Sequence, residues 1–219
     1  MNKFATKYAP RSFDDLVFTS ADVEKQLSDH VAKRCSGSLI LFGQYGTGKT
    51  TAAQIIARDR KGSLGDFSIK RNHASDVTAK MIDGVKCFRS SAVLFSSDEH
   101  TIWIIDEIDQ LDQKLQHRIR PMIDGYGDDV SFFFTTNNLH NVDGGLRDRC
   151  DVVEMAAANS DDWLGRAQAI VAEEGINIDE QHLRRVLKAT NGSIRSLIRA
   201  LEKLVIEKRR ADQGVSAVA

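Results

Sequence analysis

The chain has 219 residues, 42% hydrophobic and 28% charged, enough apolar material for a sizeable core beneath an ordinary polar surface. Its 30 Lys and Arg balance 31 Asp and Glu, leaving a net charge of −1, and neither the part before Ser160 nor the part after it is polarised, so no global basic field announces nucleic acid. Only two prolines are present, which excludes proline-rich and collagen-like classes, and no apolar run approaches the ~20 residues of a membrane span.

The opening MNKFATKYAPRSFDDL is broken by charges and a proline and lacks a secretory apolar stretch. Cys35, Cys87 and Cys150 are odd in number and lack metal-ligand spacing, so they read as reduced thiols, and the six histidines are scattered without forming a metal set. A soluble cytoplasmic protein is the expectation.

Short apolar strands alternate with helix-length stretches. Strands are expected at Ser38–Phe42, at 66–71 (weaker, with Phe67 and Ile69 alternating), at 101–105, at 130–135 with three successive phenylalanines, and at 152–155. Helices are expected at 50–60, 76–94 and 113–124. Continuous rather than alternating apolar strands belong in a sheet covered on both faces, and intervening helices imply parallel crossovers. After Met155 the character turns all-helical. Ser160-Asp161-Asp162 starts a helix with Trp163, Leu164, Ala167, Ile170 and Val171 on one stripe, Asp179 starts a second, and a third carries Ile194, Leu197, Ile198, Leu201, Leu204 and Val205. The division expected is an α/β domain over 1–157, a three-helix lid over 158–211 and a flexible tail over 212–219.

Gly43-Gln44-Tyr45-Gly46-Thr47-Gly48-Lys49-Thr50 is a complete phosphate-loop pattern, with a buried strand before it and a helix after it. Its glycines let successive N–H groups converge on phosphate oxygens, and the helix N-terminus adds partial positive charge. Lys49 is expected on the terminal phosphates and the Thr50 hydroxyl on Mg2+. Thr101-Ile102-Trp103-Ile104-Ile105 delivers Asp106 and Glu107, 57 and 58 residues after Lys49, to the strand end where open α/β sheets bind ligands. Asp106 would hold Mg2+ with Thr50, and Glu107 would orient and deprotonate an attacking water. Together these residues point to hydrolysis of a nucleoside triphosphate.

From about Lys7 to Glu207 the chain resembles an AAA+ ATPase: a five-stranded parallel sheet of the P-loop type followed by a small three-helix lid. Within that superfamily it is similar to clamp-loader subunits of the replication factor C small-subunit and phage type. Lys7-Tyr8-Ala9-Pro10 with Phe13-Asp14-Asp15-Leu16-Val17 resembles the clamp-loader opening, with Ala9 where arginine is usual. The resemblance places Tyr8, Pro10 and Val17 at adenine, while a plain hydrophobic anchor is the other reading of Tyr8 and Pro10. The binding set implied is completed by Gly43, Gly46, Thr47, Gly48, Lys49, Thr50, Thr51, Asp106 and Arg195. Ala74-Ser75-Asp76 is similar to a family stretch, interrupted by His73.

Asn137, after Phe132-Phe133-Phe134-Thr135-Thr136, matches the sensor-1 position, where it would hydrogen-bond the γ-phosphate or the water; otherwise Asn137 and Asn138 simply start a turn. Leu146-Arg147-Asp148-Arg149-Cys150 is similar to the family's Ser-Arg-Cys signature, making Arg149 an arginine finger for the next subunit's ATP, or a local ion pair with Asp148 or Asp151. Arg120 on the helix at 113–124 would reach toward a neighbouring nucleotide site or stand as surface charge, and Pro121 is expected to kink that helix. Gly192-Ser193-Ile194-Arg195 resembles sensor 2, with Arg195 touching the γ-phosphate or solvated. The catalytic set implied is thus Lys49, Glu107, Asn137, Arg149 and Arg195.

A clamp-loader-like assembly of this chain with itself or related subunits is the first expectation. ATP and Mg2+ are its cofactors, with DNA and possible binding of a sliding clamp or another recruited protein, and no membrane. The family's collar domain is missing, so either the chain is a shortened one or assembly depends on ATP, DNA or another protein. A slow ATPase switch that oligomerises on DNA and recruits a transposase, helicase or defence effector is the alternative. A protein-unfolding ring fits poorly, because Met81-Ile82-Asp83-Gly84 is acidic where a pore loop grips apolar chain.

Overall fold

The computed structural model describes residues 3–35, 37–62, 68–85, 100–127 and 129–216, with side chains through 211. In chain order its elements are α1 (Lys3–Lys7), α2 (Ala21–Val31), β1 (Ser38–Phe42), α3 (Lys49–Lys61), β2 (Ile69–His73), α4 (Ala79–Asp83), β3 (Thr101–Asp106), α5 (Gln113–Tyr126), β4 (Val130–Thr136), α6 (Gly144–Arg147), β5 (Cys150–Glu154), α7 (Ser160–Glu173), α8 (Glu180–Lys188) and α9 (Ile194–Ser216). The strands form one parallel sheet in the order β2-β3-β4-β1-β5.

Strand side chains alternate between faces, so each apolar run feeds two cores. Leu39, Leu41, Ile104 and Phe133 pack with Leu27 of α2 and with Ala52, Ala53 and Ile56 of α3. Ile40, Trp103, Ile105, Phe132 and Phe134 face the other way, onto Ile82, Ile119 and Leu146. All of β4 is buried, which is why it reads as a continuous apolar run. A third cluster joins Trp163, Ala167 and Ile170 of α7 to Leu183 and Leu187 of α8, Leu197 and Leu201 of α9, and Tyr8. Each fully buried Leu, Ile or Phe among them contributes about 1.5–3 kcal/mol by leaving water.

Several boundaries differ from expectation. β5 begins at Cys150, not 152, because Ser38 and Leu39 of β1 pair with Cys150 and Asp151, and the charge of Asp151 hid the strand start. Among the described residues the helix expected at 76–94 is α4, a turn at Gly84 and a helical Val85, and 86–94, like Phe67, lies outside them. α5 runs through Pro121 to Tyr126 without interruption. The stretch before β1 holds α2, N-capped by the Ser20 hydroxyl accepting from Asp22 N–H, and α9 extends to Ser216, into the expected tail.

Glu174, at the end of α7, accepts from Lys7 Nζ at 2.8 Å, from the Tyr8 hydroxyl and from Arg209 Nη2 at 2.6 Å, tying α1 to both α7 and α9. His30 is fully buried at the end of α2, edge-on to Phe133, and burial lowers its pKa so that the imidazole is neutral at neutral pH. No helix among the described residues is long and apolar enough to cross a membrane.

Candidate functional site

A cleft of about 510 Å3 opens where the C-terminal ends of the strands meet the helices after Met155. Its wall includes Tyr8, Pro10, Val17, Gly46, Thr47, Gly48, Lys49, Thr50, Thr51, Asp106, Glu107, Asn137 and Arg195. Segments separated by almost the whole chain are thus gathered around one space. Its volume falls within the range of ordinary small-molecule sites.

The loop after β1 shapes one side. Gly46 has φ +82°, a conformation disfavoured for a side-chain-bearing residue, and a Cβ there would stand 2.6 Å from Ser193 Oγ. Gly46 O also accepts the Ile194 N–H at 2.8 Å, so the loop is bonded to the start of α9. Gly43 does not line the cleft; it passes so close to Met155 that a Cβ would lie 2.4 Å from the Met155 carbonyl oxygen. Lys49 is 6% exposed and donates to Gly43 O at 3.0 Å and Gln44 O at 2.7 Å. Burial pulls its pKa down while Asp106, Glu107 and Asp109 push it back up. α3 starts at Gly48, which has no side chain to cap it, leaving first-turn N–H groups to a ligand or water.

β3 supplies the acids. Thr50 Oγ1 donates to Asp106 Oδ1 at 2.6 Å, and the Thr135 hydroxyl donates to the same oxygen. This all-oxygen group is the kind of donor set that Mg2+ prefers, so Thr50 and Asp106 fit the ion. Glu107 adopts a left-handed backbone, φ 57° and ψ 49°, held by its N–H donating to Thr135 Oγ1 at 3.1 Å. Such a conformation costs a non-glycine residue about 1–2 kcal/mol, and it turns the chain sharply after the strand. The Glu107 carboxylate is held in turn: Oε2 accepts from Gln110 Nε2 and lies 3.2 Å from His73 Nε2. His73 Nδ1 accepts the Ser75 N–H at 3.2 Å, so the ring proton resides on Nε2 and is donated to Glu107.

The ambiguous polar residues separate cleanly. Asn137 lines the cleft, while it is Asn138 whose Oδ1 accepts from His140 N–H at 3.1 Å to start the turn. Arg195 lies on the cleft wall with Arg166 and Arg199, and Arg166 donates to Asp15 Oδ1 at 3.3 Å. Tyr8 lines the cleft, packs in the third apolar cluster and donates its hydroxyl to Glu174. Arg149 lies outside this cleft. Its partner is neither Asp148 nor Asp151 but Asp124, at 2.8 and 2.9 Å from Nε, with Gly145 O at 2.8 Å from Nη1. Arg120 is held by both carboxylate oxygens of Asp143 within its own chain.

Sequence reasoning missed His73, Gln110 and Thr135. Thr135 was reachable: pairing β3 with β4 puts Ile105 opposite Phe134, and hence Thr135 beside Asp106. His73 follows from no local pattern, since only the adjacency of β2 and β3 brings it to Glu107.

The fold and this strand-end cleft define a P-loop nucleotide-binding α/β protein. The AAA family (ATPase family associated with various cellular activities) matches residues 39–157, and the chain belongs to it. Among curated proteins it is 26% identical over 213 residues to replication factor C small subunit 2 of Pyrobaculum islandicum, covering 96% of this chain and 66% of that protein. The replication factor C small subunit of Haloarcula marismortui is 26% identical over 210 residues, covering 95% of this chain and 64% of its own length. The chain thus spans just under two thirds of these relatives. Among solved structures, the Thermotoga maritima RuvB Holliday junction branch migration motor superposes with a TM-score of 0.69 at 20% identity, covering 89% of this chain and 64% of that one, a likeness of fold.

Proposed function

We propose that this chain is a clamp-loader-type ATPase subunit that acts on DNA in replication inside the cell, hydrolysing ATP at boundaries between subunits. The observation that carries this reading is a division of residues. Lys49, Thr50, Asp106, Glu107, Asn137 and Arg195 share one cleft, whereas Arg149, paired with Asp124, is outside it and exposed. Similarity to replication factor C small subunits along nearly the whole chain supports the assignment to DNA replication.

Each residue then has a task. Loop N–H groups and Lys49 bind the triphosphate, with Lys49 exchanging its own loop carbonyls for phosphate oxygens. Thr50 and Asp106 hold Mg2+, which when bound neutralises phosphate charge. Glu107 accepts a proton from the attacking water on a carboxylate oxygen, and His73 and Gln110 orient that carboxylate. The Asn137 amide hydrogen-bonds the γ-phosphate or the water without adding charge. Arg195 touches the phosphate from α9, so the position of that helix follows occupancy, and the Gly46–Ile194 bond links the same helix to the phosphate loop. Arg149 from an adjacent subunit spreads positive charge over the transferring phosphoryl group, an effect worth about 10³–10⁵ in rate.

The test is ATP turnover per chain measured across protein concentration, with and without primed DNA and a sliding clamp. Turnover that rises with concentration and is stimulated by DNA and clamp together is expected. A rate per chain that ignores all three would overturn the reading.

A further inference from the structure

His30, Cys35 and Asp151 come from three places: the end of α2, the turn that follows it and the second residue of β5. A ring nitrogen of His30, the Cys35 sulfur and a carboxylate oxygen of Asp151 nevertheless lie within 4.8 Å of one another. Residue order hides this group completely, because only the parallel pairing of β1 with β5 carries Asp151 back to the turn before β1.

The histidine supplies a second, independent observation. It is fully buried, yet neither ring nitrogen makes a well-aligned hydrogen bond among the described residues. Nε2 approaches Asp151 Oδ2 to 2.9 Å, but off the direction in which an N–H would point. Buried polar atoms without partners are uncommon and call for an explanation, such as an ion. Arg60, itself buried, donates from Nη1 to the carbonyls of both His30 and Cys35, at 3.0 and 2.7 Å, and so holds two of the three residues in register.

We propose that His30, Cys35 and Asp151 form a zinc-type transition-metal site at the N-terminal edge of the sheet, with the fourth coordination position open to water. Nitrogen, sulfur and oxygen donors together select a borderline-soft divalent ion over Mg2+. A thiolate and a carboxylate cancel the charge of such an ion, so the occupied site adds no net positive charge beside the Arg60 guanidinium. Ligand atoms of a tetrahedral zinc site lie roughly 3.5 Å apart, so small rotations of the half-buried Cys35 and Asp151 side chains close the group. The Asp151 side chain is 45% exposed, which leaves an entry path and room for water. The site is separate from the nucleotide cleft, because it sits where the strands begin and the cleft where they end. It joins the end of α2 to β5 two residues beyond Arg149.

The full 219-residue chain, stripped with a chelator and kept in excess Mg2+ to occupy the Thr50–Asp106 site, is titrated with Co2+ and then Zn2+. One equivalent of Co2+ should give a thiolate-to-cobalt charge-transfer band and four-coordinate visible bands, both erased by Zn2+. Cys35→Ser should remove the charge-transfer band, while Cys87→Ser and Cys150→Ser keep it. Asp151→Asn, at a partly exposed position, should weaken binding by about 10–100-fold, on the scale of losing a metal-supporting group. Zn2+ should raise the melting temperature of the unmodified chain by more than that of Asp151→Asn at the same concentration, a readout that does not need the cysteine variants to fold. Absence of the charge-transfer band, its survival in Cys35→Ser, or an unchanged Zn2+ response in Asp151→Asn would each overturn the site.

Discussion

His73 Nε2 lies 3.2 Å from Glu107 Oε2, so the last residue of β2 steadies the carboxylate that follows β3. Ser75 N–H on Nδ1 holds the ring so that Nε2 faces the Glu107 carboxylate. His73→Ala should lower turnover by roughly tenfold, a part of the 10²–10⁴ that a positioned base supplies, while ATP affinity stays unchanged. Steady-state kinetics check this through the split between kcat and KM. An unchanged kcat would remove His73 from the positioning role.

Replacing Glu107, the proposed base, should act more strongly. Glu107→Gln keeps the shape and the Thr135-bonded backbone but cannot take a proton, so turnover should fall by about 10²–10⁴ with nucleotide binding intact. Single-turnover hydrolysis beside equilibrium nucleotide binding separates the two effects.

Gly46 and Gly125 make a contrasting pair for stability. Gly46→Ala forces a left-handed conformation, costing about 1–2 kcal/mol, and drives a methyl against Ser193. Gly125, inside α5 with open space around it, should gain about 0.5–1 kcal/mol as alanine. Thermal unfolding of the two variants should shift in opposite directions.

Glu174 gives a pH signature. Lys7, then Tyr8, hold its carboxyl below the ordinary 4.5, so its contribution to stability is present above that value and disappears as pH falls through the lowered folded value. Glu174→Gln should therefore melt below the parent at neutral pH, with the difference shrinking in acid. A difference that stays constant with pH would exclude the charged network as its source.

Much of this architecture is written in local pattern. Ser38–Phe42 and the three phenylalanines of β4 read as buried strands because both faces of the sheet are covered. The phosphate loop is equally legible, since its glycines, Lys49 and Thr50 act through the backbone they sit on. What escapes is whatever depends on strand order. His73 reaches Glu107, and Asp151 reaches His30, only through neighbouring strands, and the charged Asp151 masked the start of β5. Arg149 is the intermediate case: its position beside β5 is readable, but not its pairing with Asp124.

Whether two subunits build the catalytic cleft together is tested most directly by mixing Arg149→Ala and Glu107→Gln, each expected to be inactive alone, at concentrations that support assembly. Where a subunit keeping Glu107 sits against one keeping Arg149, the cleft is whole, so the mixture should hydrolyse ATP although neither variant does alone. A mixture as inactive as its components, or Arg149→Ala alone turning over at the parent rate, would contradict a cleft built by two subunits.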